Sequence, residues 1–203
     1  MNSVIVVGCS CFFNCVIASM AAYGFEKKHF WGKEFLFKVY MLTLMIPGQV
    51  TMIPVFIIMK KLGLLNTYFA LVVIILNAFG VFLIRQFMES VPDELLEAAK
   101  VDGCPEYKIF INIVIPLIKP VLVSLVVFTF VTSWNDFMWP LVSTTDSSMY
   151  TLTVALSLLK TQYQTNYGLI LAGATVSFIF PFILYAFLQK QFVEGIALSG
   201  VKG

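Results

Sequence analysis

Charge is scarce in this chain of 203 residues: Asp, Glu, Lys and Arg make up 12% of it, about half the share of an ordinary soluble domain. Net charge is only +2, which leaves no basic footprint for nucleic acid. Histidine occurs once, as His29 in a basic loop, where it reads as solvated. The four cysteines form no disulfide framework. Cys9, Cys11 and Cys15 sit in an apolar run as small fillers, without the polar company a metal site needs, and Cys104 has no thiolate-activating neighbour in sequence. No G-x-x-x-x-G-K-[ST] phosphate loop is present, so this chain carries no ATP site of that kind. No nucleophile–base–acid grouping stands out either, and an enzyme reading has little support.

What remains is apolar and clustered. Hydrophobic residues make up 60% of the chain. Residues 1–25, 62–84 and 168–188 carry no charge; 35–59 carries only Lys38, and 117–140 carries Lys119 and Asp136 near its ends. A helix of 25 residues rises about 37 Å, enough for a hydrocarbon layer of about 30 Å. The pattern predicts an all-α integral membrane protein with about five spans. Basic residues orient it. Alternating five spans groups Lys27, Lys28, Lys33, Lys38, Arg85, Lys100, Lys108, Lys119, Lys190 and Lys202 on one side, against Lys60, Lys61 and Lys160 on the other. The first group is expected in the cytoplasm, with the N-terminus outside and the C-terminus inside. A start outside with its basic flank inside suits an internal start, so a further span is expected before Met1.

Several residues within the spans invite functional readings. Pro47, Gly48 and Pro54 should kink or unwind the second span, as in a pathway-lining helix or a packing kink, with Gln49 between them. Asn77 suits an interhelical hydrogen bond or a ligand contact. Trp134, Asn135 and Asp136 lie where the fourth span leaves the membrane; they fit an interfacial aromatic belt or a sugar pathway. Gly173 and Ser177 form a small-residue pair for close helix packing. The outside stretch 142–167 can meet a substrate-delivering protein or lie on the surface.

The most polar segment is RQFMESVPDELLEAAKVDGCPEYKIF, residues 85–110. Ser90 as cap, Pro92 in the first turn and the acids Asp93 and Glu94 predict a helix start. Gly103 predicts its stop, and Pro105 with Glu106 a second short helix whose apolar side is Tyr107, Phe110 and Ile111. The result is a helix–turn–helix with no core of its own.

Glu97-Ala98-Ala99, Gly103, Ile113 and Ile115-Pro116 together resemble the EAA loop of ABC-importer permeases; Ile115 stands where the family has leucine. The segments MIPGQVTMIP, VPDEL, SWNDFMWPL and QKQFVEGIALSGVKG are similar to carbohydrate-importer permeases of the maltose type, the second of the two permease subunits. The resemblance covers essentially the whole chain. It implies a type I importer transmembrane domain, a single permease domain over 1–203 that lacks the first of six spans, multi-pass in the cell membrane. It also implies a non-catalytic subunit without a cofactor of its own, ATP and magnesium being held by a partner ATPase dimer. The expected partners are that ATPase, a second permease subunit, an extracytoplasmic solute-binding protein and the lipid bilayer. The ATPase-docking residues would be Glu97, Ala98, Ala99, Gly103, Tyr107, Phe110 and Ile111. The substrate pathway would use Pro47, Gln49, Pro54, Asn77, Trp134, Asn135 and Asp136. In that family the tail, here Phe192–Gly195 and Gly200–Gly203, reaches between the ATPase subunits. A same-superfamily permease for another solute, such as glycerol phosphate, is the nearest alternative. A secondary transporter would call for intramembrane ionisable residues and an inverted repeat, and neither is seen.

Overall fold

The computed structural model describes residues 1–159 and 167–200, without the side chains of Leu188 and residues 190–200. Lys160, Val201, Lys202 and Gly203, and the side chains of the tail from Phe192 to Gly200, therefore lie outside what is described. Every regular element among the described residues is helical. The α-helices are α1 (Asn2–Lys27), α2 (Lys33–Leu42), α3 (Gly48–Lys61), α4 (Tyr68–Val73), α5 (Ala78–Met88), α6 (Asp93–Val101), α7 (Glu106–Ile109), α8 (Ile115–Leu117), α9 (Lys119–Asn135), α10 (Met138–Ser143), α11 (Leu152–Leu158) and α12 (Tyr167–Gly200).

Two of these, α1 and the Tyr167–Phe187 part of α12, are long and apolar enough to cross a membrane unaided. Two bent pairs, Lys33–Met45 with Gly48–Lys61 and Glu106–Leu117 with Lys119–Asn135, raise the number to four. The first bend confirms the broken second span: Ile46 and Pro47 are extended, and α3 starts afresh behind Pro47. Pro54 sits inside α3, where its missing N–H leaves the carbonyl one turn back without its helical donor. The expected third span, 62–84, differs from a single helix. It divides into α4 and α5 because two side chains each open a new helix: Thr67 Oγ1 accepts from Ala70 N, and Asn77 Oδ1 accepts from Phe79 N. Asn77 is thus a cap rather than an interhelical bond, since a short amide satisfies an orphan N–H better at a helix start than in an interior.

The chain divides into two compact units. In one (Met1–Phe12, Pro47–Leu76, Val127–Gln189), Val6, Ala70, Leu71, Val72, Ile75 and Trp139 form the buried cluster. There Asn2 Nδ2 donates to the carbonyls of Ser148 and Tyr150, and Asn66, at φ 58°, ties the 60s turn to Thr145 and Asp146. In the other (Phe13–Ile46, Asn77–Val126, Lys190–Gly203), the cluster runs from Ala18 and Ala22 on α1 through Val81, Ile84 and Met88 on α5. It continues to Leu96, Ile109, Ile118 and Leu125. Gly80 lets α1 and α9 approach α5 closely: a Cβ there would lie 3.2 Å from Ala18 and from Leu125.

Outside these cores the surface is greasy. No residue of α2 is buried, and none of the described side chains of Tyr167–Phe187 is buried either, although that stretch is almost wholly apolar. Apolar surface of this extent is what lipid and neighbouring helices cover. Several hydroxyls within the apolar helices bond back to their own backbone, as Ser19 does to the Cys15 carbonyl (2.6 Å) and Thr175 to that of Leu171 (2.9 Å).

Candidate functional site

The polar segment folds as the expected helix–turn–helix, with one change at its start. Pro92, extended at ψ 133°, occupies the cap position of α6 and offers no side-chain cap. Ser90 does not cap α6; its Oγ donates to the Phe87 carbonyl (2.7 Å) and closes α5 instead. The start of α6 is held by charge: Asp93 and Glu94 lie in its first turn, at the positive end of the helix dipole. Leu96 points into the core, Ala99 is half-buried, and Glu97 and Ala98 face outward.

The turn after α6 is a Schellman motif. Cys104 N donates to the Ala99 carbonyl (2.9 Å) and Gly103 N to that of Lys100 (3.0 Å), which requires Gly103 to be left-handed at φ 75°. Pro105 then opens α7, whose Ile109 is fully buried. A wide π-helical turn follows at Phe110–Val114, just before Pro116, whose ring would strike the Asn112 carbonyl in a regular helix. At Ile118 the chain turns by 77° into α9.

Among the seven residues expected to dock a partner, Phe110 faces inward, its ring 5.2 Å from that of Tyr23. Tyr107 and Ile111 are exposed, as are Glu97, Ala98 and Gly103. Val101, which sequence reasoning passed over, is 87% exposed at the end of α6, and Leu95, near its start, is exposed as well. The outward face thus joins small, apolar and acidic groups on two short helices set at a fixed turn.

A second set of residues went unnoticed in the sequence. Glu26, Lys27 and Lys28, consecutive at the end of α1, reach three different elements. Glu26 accepts from Arg85 Nε (2.8 Å), whose Nη2 also bonds Glu34 (2.9 Å) and whose guanidinium lies 3.9 Å over the Phe37 ring. Lys27 Nζ donates to the Val91 carbonyl (2.6 Å) and pairs with Asp93 (2.7 Å). Lys28 pairs with Glu106, which also accepts from Tyr23 Oη. The Lys27 hydrogen bond holds the Asp93 carboxyl below its ordinary value, and the bonds from Lys28 and Tyr23 do the same for Glu106. The partners of Glu26, Lys27 and Lys28 lie 59 to 78 positions from them, so no local pattern announces them; like-sided charge was the only signal.

The residues expected on a substrate pathway fall in several settings. Pro47, Gln49 and Pro54 are exposed at the start of α3, and Asn77 is exposed at the start of α5. Asn135 donates to the Val131 carbonyl (2.8 Å), and Asp136 accepts from Trp139 N at the start of α10. Trp134 is no interfacial belt residue. It is 5% exposed, stacks on Phe130 and packs against Phe180, and its indole N–H reaches the Ser177 carbonyl (3.0 Å). Trp139 is buried likewise, bonded to the Ala70 carbonyl (2.9 Å). Gly173 serves the expected close packing: a Cβ there would lie 2.1 Å from Leu156 Cδ2. Among the described residues, no three of His, Cys, Asp and Glu converge as metal ligands would.

Residues 15–197 match the family model of the binding-protein-dependent transport system inner membrane component. An arabinooligosaccharides transport system permease protein of Halalkalibacterium halodurans is 39% identical over 202 residues, which span 99% of this chain and 71% of that protein. A lactose transport system permease protein of Rhizobium radiobacter is 36% identical over 188 residues, 92% of this chain and 68% of its own length. Among solved structures, a bacterial ABC transporter involved in the import of the acidic polysaccharide alginate matches with a TM-score of 0.73. The match covers 99% of this chain and 73% of that one at 23% identity, a likeness of fold.

Proposed function

The chain belongs to the family of binding-protein-dependent transport system inner membrane components, and from that premise we propose that it moves a sugar or oligosaccharide through the membrane as one half of a two-permease pathway. The work of moving the solute comes from a partner ATPase seated on the α6–α7 elbow. Glu97, Ala98, Tyr107 and Ile111 make the contact, with Val101 and Leu95 extending it. Phe110, which packs on Tyr23, holds the elbow from behind.

The observation that carries this reading is the outward face of the elbow. Small Ala98 lets a partner surface come close, Glu97 supplies an anchor for a basic group, and the exposed apolar side chains need a cover. The Schellman turn at Gly103 keeps α6 and α7 from moving independently. Closure of a nucleotide-binding cleft then displaces the elbow as a unit. Buried Leu96 and Ile109 pass that displacement into the core, and the turn at Ile118 passes it to α9. The distribution of lysines supports placing the elbow on the cytoplasmic side. A solute-binding protein would deliver the sugar on the opposite side, where Asn66 and Asn2 order the loops. The relatives named for arabinooligosaccharides and lactose support the sugar class.

The test is reconstitution. The chain, its partner permease and the ATPase are placed in liposomes with the binding protein, and uptake of labelled arabinotriose, lactose and diacetylchitobiose is followed. ATP-dependent uptake of at least one sugar is expected. ATP hydrolysis without uptake of any would overturn the sugar reading, and failure of the ATPase to co-purify would overturn the docking.

A further inference from the structure

Glu26, Lys27 and Lys28 do more than mark a cytoplasmic loop. We infer that this triplet is a clamp that fastens the α6–α7 elbow to the end of α1, so that Lys27 and Lys28 are positioning residues for coupling. The inference rests on the reading of the elbow as the ATPase contact and adds how its displacement is carried onward.

The geometry is specific. Lys27 is the last residue of α1, where the dipole favours a cation, and its partner Asp93 is the first residue of α6, where it favours an anion. Lys28 meets Glu106, the first residue of α7. Two successive lysines therefore hold the leading ends of both short helices, one each. Glu26 and Arg85 add α5 and the start of α2 to the same body.

Burial separates the Lys27 and Arg85 cations from ordinary surface pairing, whereas the Lys28–Glu106 pair is part exposed. The Lys27 side chain is 5% exposed and that of Arg85 13%. A buried cation is tolerated only with partners in good geometry, so each is fixed in direction as well as position. The apolar contacts of Leu96 and Ile109 hold the elbow on the core but leave it free to rotate about them. The loop at 89–92 would let it do so. Charges at both helix starts remove that freedom. The clamp also leaves Glu97, Ala98, Tyr107 and Ile111 unencumbered, because it grips from the other side. A push on the outward face is delivered to α1 rather than absorbed in that loop.

The test uses the assembled transporter in lipid nanodiscs, with Cys9, Cys11, Cys15 and Cys104 replaced by alanine. Spin labels go at the exposed positions Trp31 and Asp102, neither of them assigned to the ATPase contact, and the distance between them is measured without nucleotide and with ADP–vanadate trapped. Four forms are compared: native charges, K27R/K28R, K27E/K28E, and K27E/K28E with D93K/E106K. With native charges and with arginines, the label pair should give one narrow distance that is the same in both states. The reversed pair should broaden it and lower uptake per ATP hydrolysed about tenfold, for a sugar that the native complex transports, within the range of coupling energies for residues linking two sites. The exchanged set should restore both in part, because the swapped charges oppose the helix dipoles and a glutamate at 27 cannot donate to the Val91 carbonyl. A native distance that shifts on trapping overturns the clamp, as does an exchanged set no better than the reversed pair. A native complex that traps no nucleotide overturns the ATPase reading instead, and the nucleotide-free distances still decide the clamp.

Discussion

Gly103 provides the sharpest separation between backbone geometry and partner contact. Its φ of 75° is left-handed, and a Cβ built there meets nothing within 4 Å. Substitution in the free chain therefore brings no steric clash, only backbone strain of about 1–2 kcal/mol for an ordinary L-residue. At 25 °C that lowers the population of the Schellman turn about 5- to 30-fold against alternatives. Asn tolerates the left-handed region through its short polar side chain and should lose much less. A β-branched Val should lose the most. The assay is affinity of the partner ATPase for the permease complex in nanodiscs, measured for Gly103→Asn, Gly103→Ala and Gly103→Val. The expected order of affinity is native, Asn, Ala, Val, with membrane insertion unchanged throughout. Equal binding by Val and the native chain would refute the claim that turn geometry sets the docking surface. Binding lost equally in Asn and Val would mean that the partner itself needs the space over Gly103.

Three other perturbations test the packing. Trp139→Phe removes the indole bond to the Ala70 carbonyl and leaves a small cavity, costing about 2–4 kcal/mol, read as a lower unfolding temperature in detergent. Gly173→Ala should cost about 1 kcal/mol or less, because Leu156 Cδ2 can swing aside, and Leu156→Ala in the same chain should remove that cost, a non-additivity visible in the same assay. Native Asp93 and Glu106 titrate below their ordinary values of 3.8 and 4.5 because Lys27 and Lys28 favour their charged forms. Their contribution is therefore complete above those ordinary values and is lost as pH falls through the depressed native ones. Both carboxylates are substantially exposed, so the effect should stay under about 1 kcal/mol per pair. Unfolding midpoints at pH 7 and pH 3 should differ less in Lys27→Met/Lys28→Met than in the native chain; an unchanged difference would remove the two pairs from the acid response.

The elbow was legible in sequence because its signals are local. Proline, acids, an apolar–small pattern and a glycine stop act within one or two turns, and α6, Gly103 and α7 fall where those residues put them. Even there, the cap was misassigned, since Ser90 had a nearer carbonyl to satisfy at Phe87. The first, second, fourth and last apolar runs became long or bent helices, as hydropathy requires. The third did not, because hydropathy is blind to capping by Thr67 and Asn77. The tryptophans near residue 134 looked interfacial by position, but an indole is equally content in a core that offers a carbonyl to its N–H, as Ser177 and Ala70 do. The charged clamp was out of reach. Its partners are dozens of residues apart, and nothing short of tertiary structure pairs Lys27 with Asp93.

The most direct measurement is photocrosslinking from position 98, with a benzophenone side chain in place of Ala98, in the assembled and transport-competent complex. A covalent adduct with the ATPase whose yield changes between the nucleotide-free and the ADP–vanadate states is the result expected of an elbow that rides on a closing cleft. A complex that transports normally yet gives no such adduct from this position, nor from 97 or 107, would contradict it.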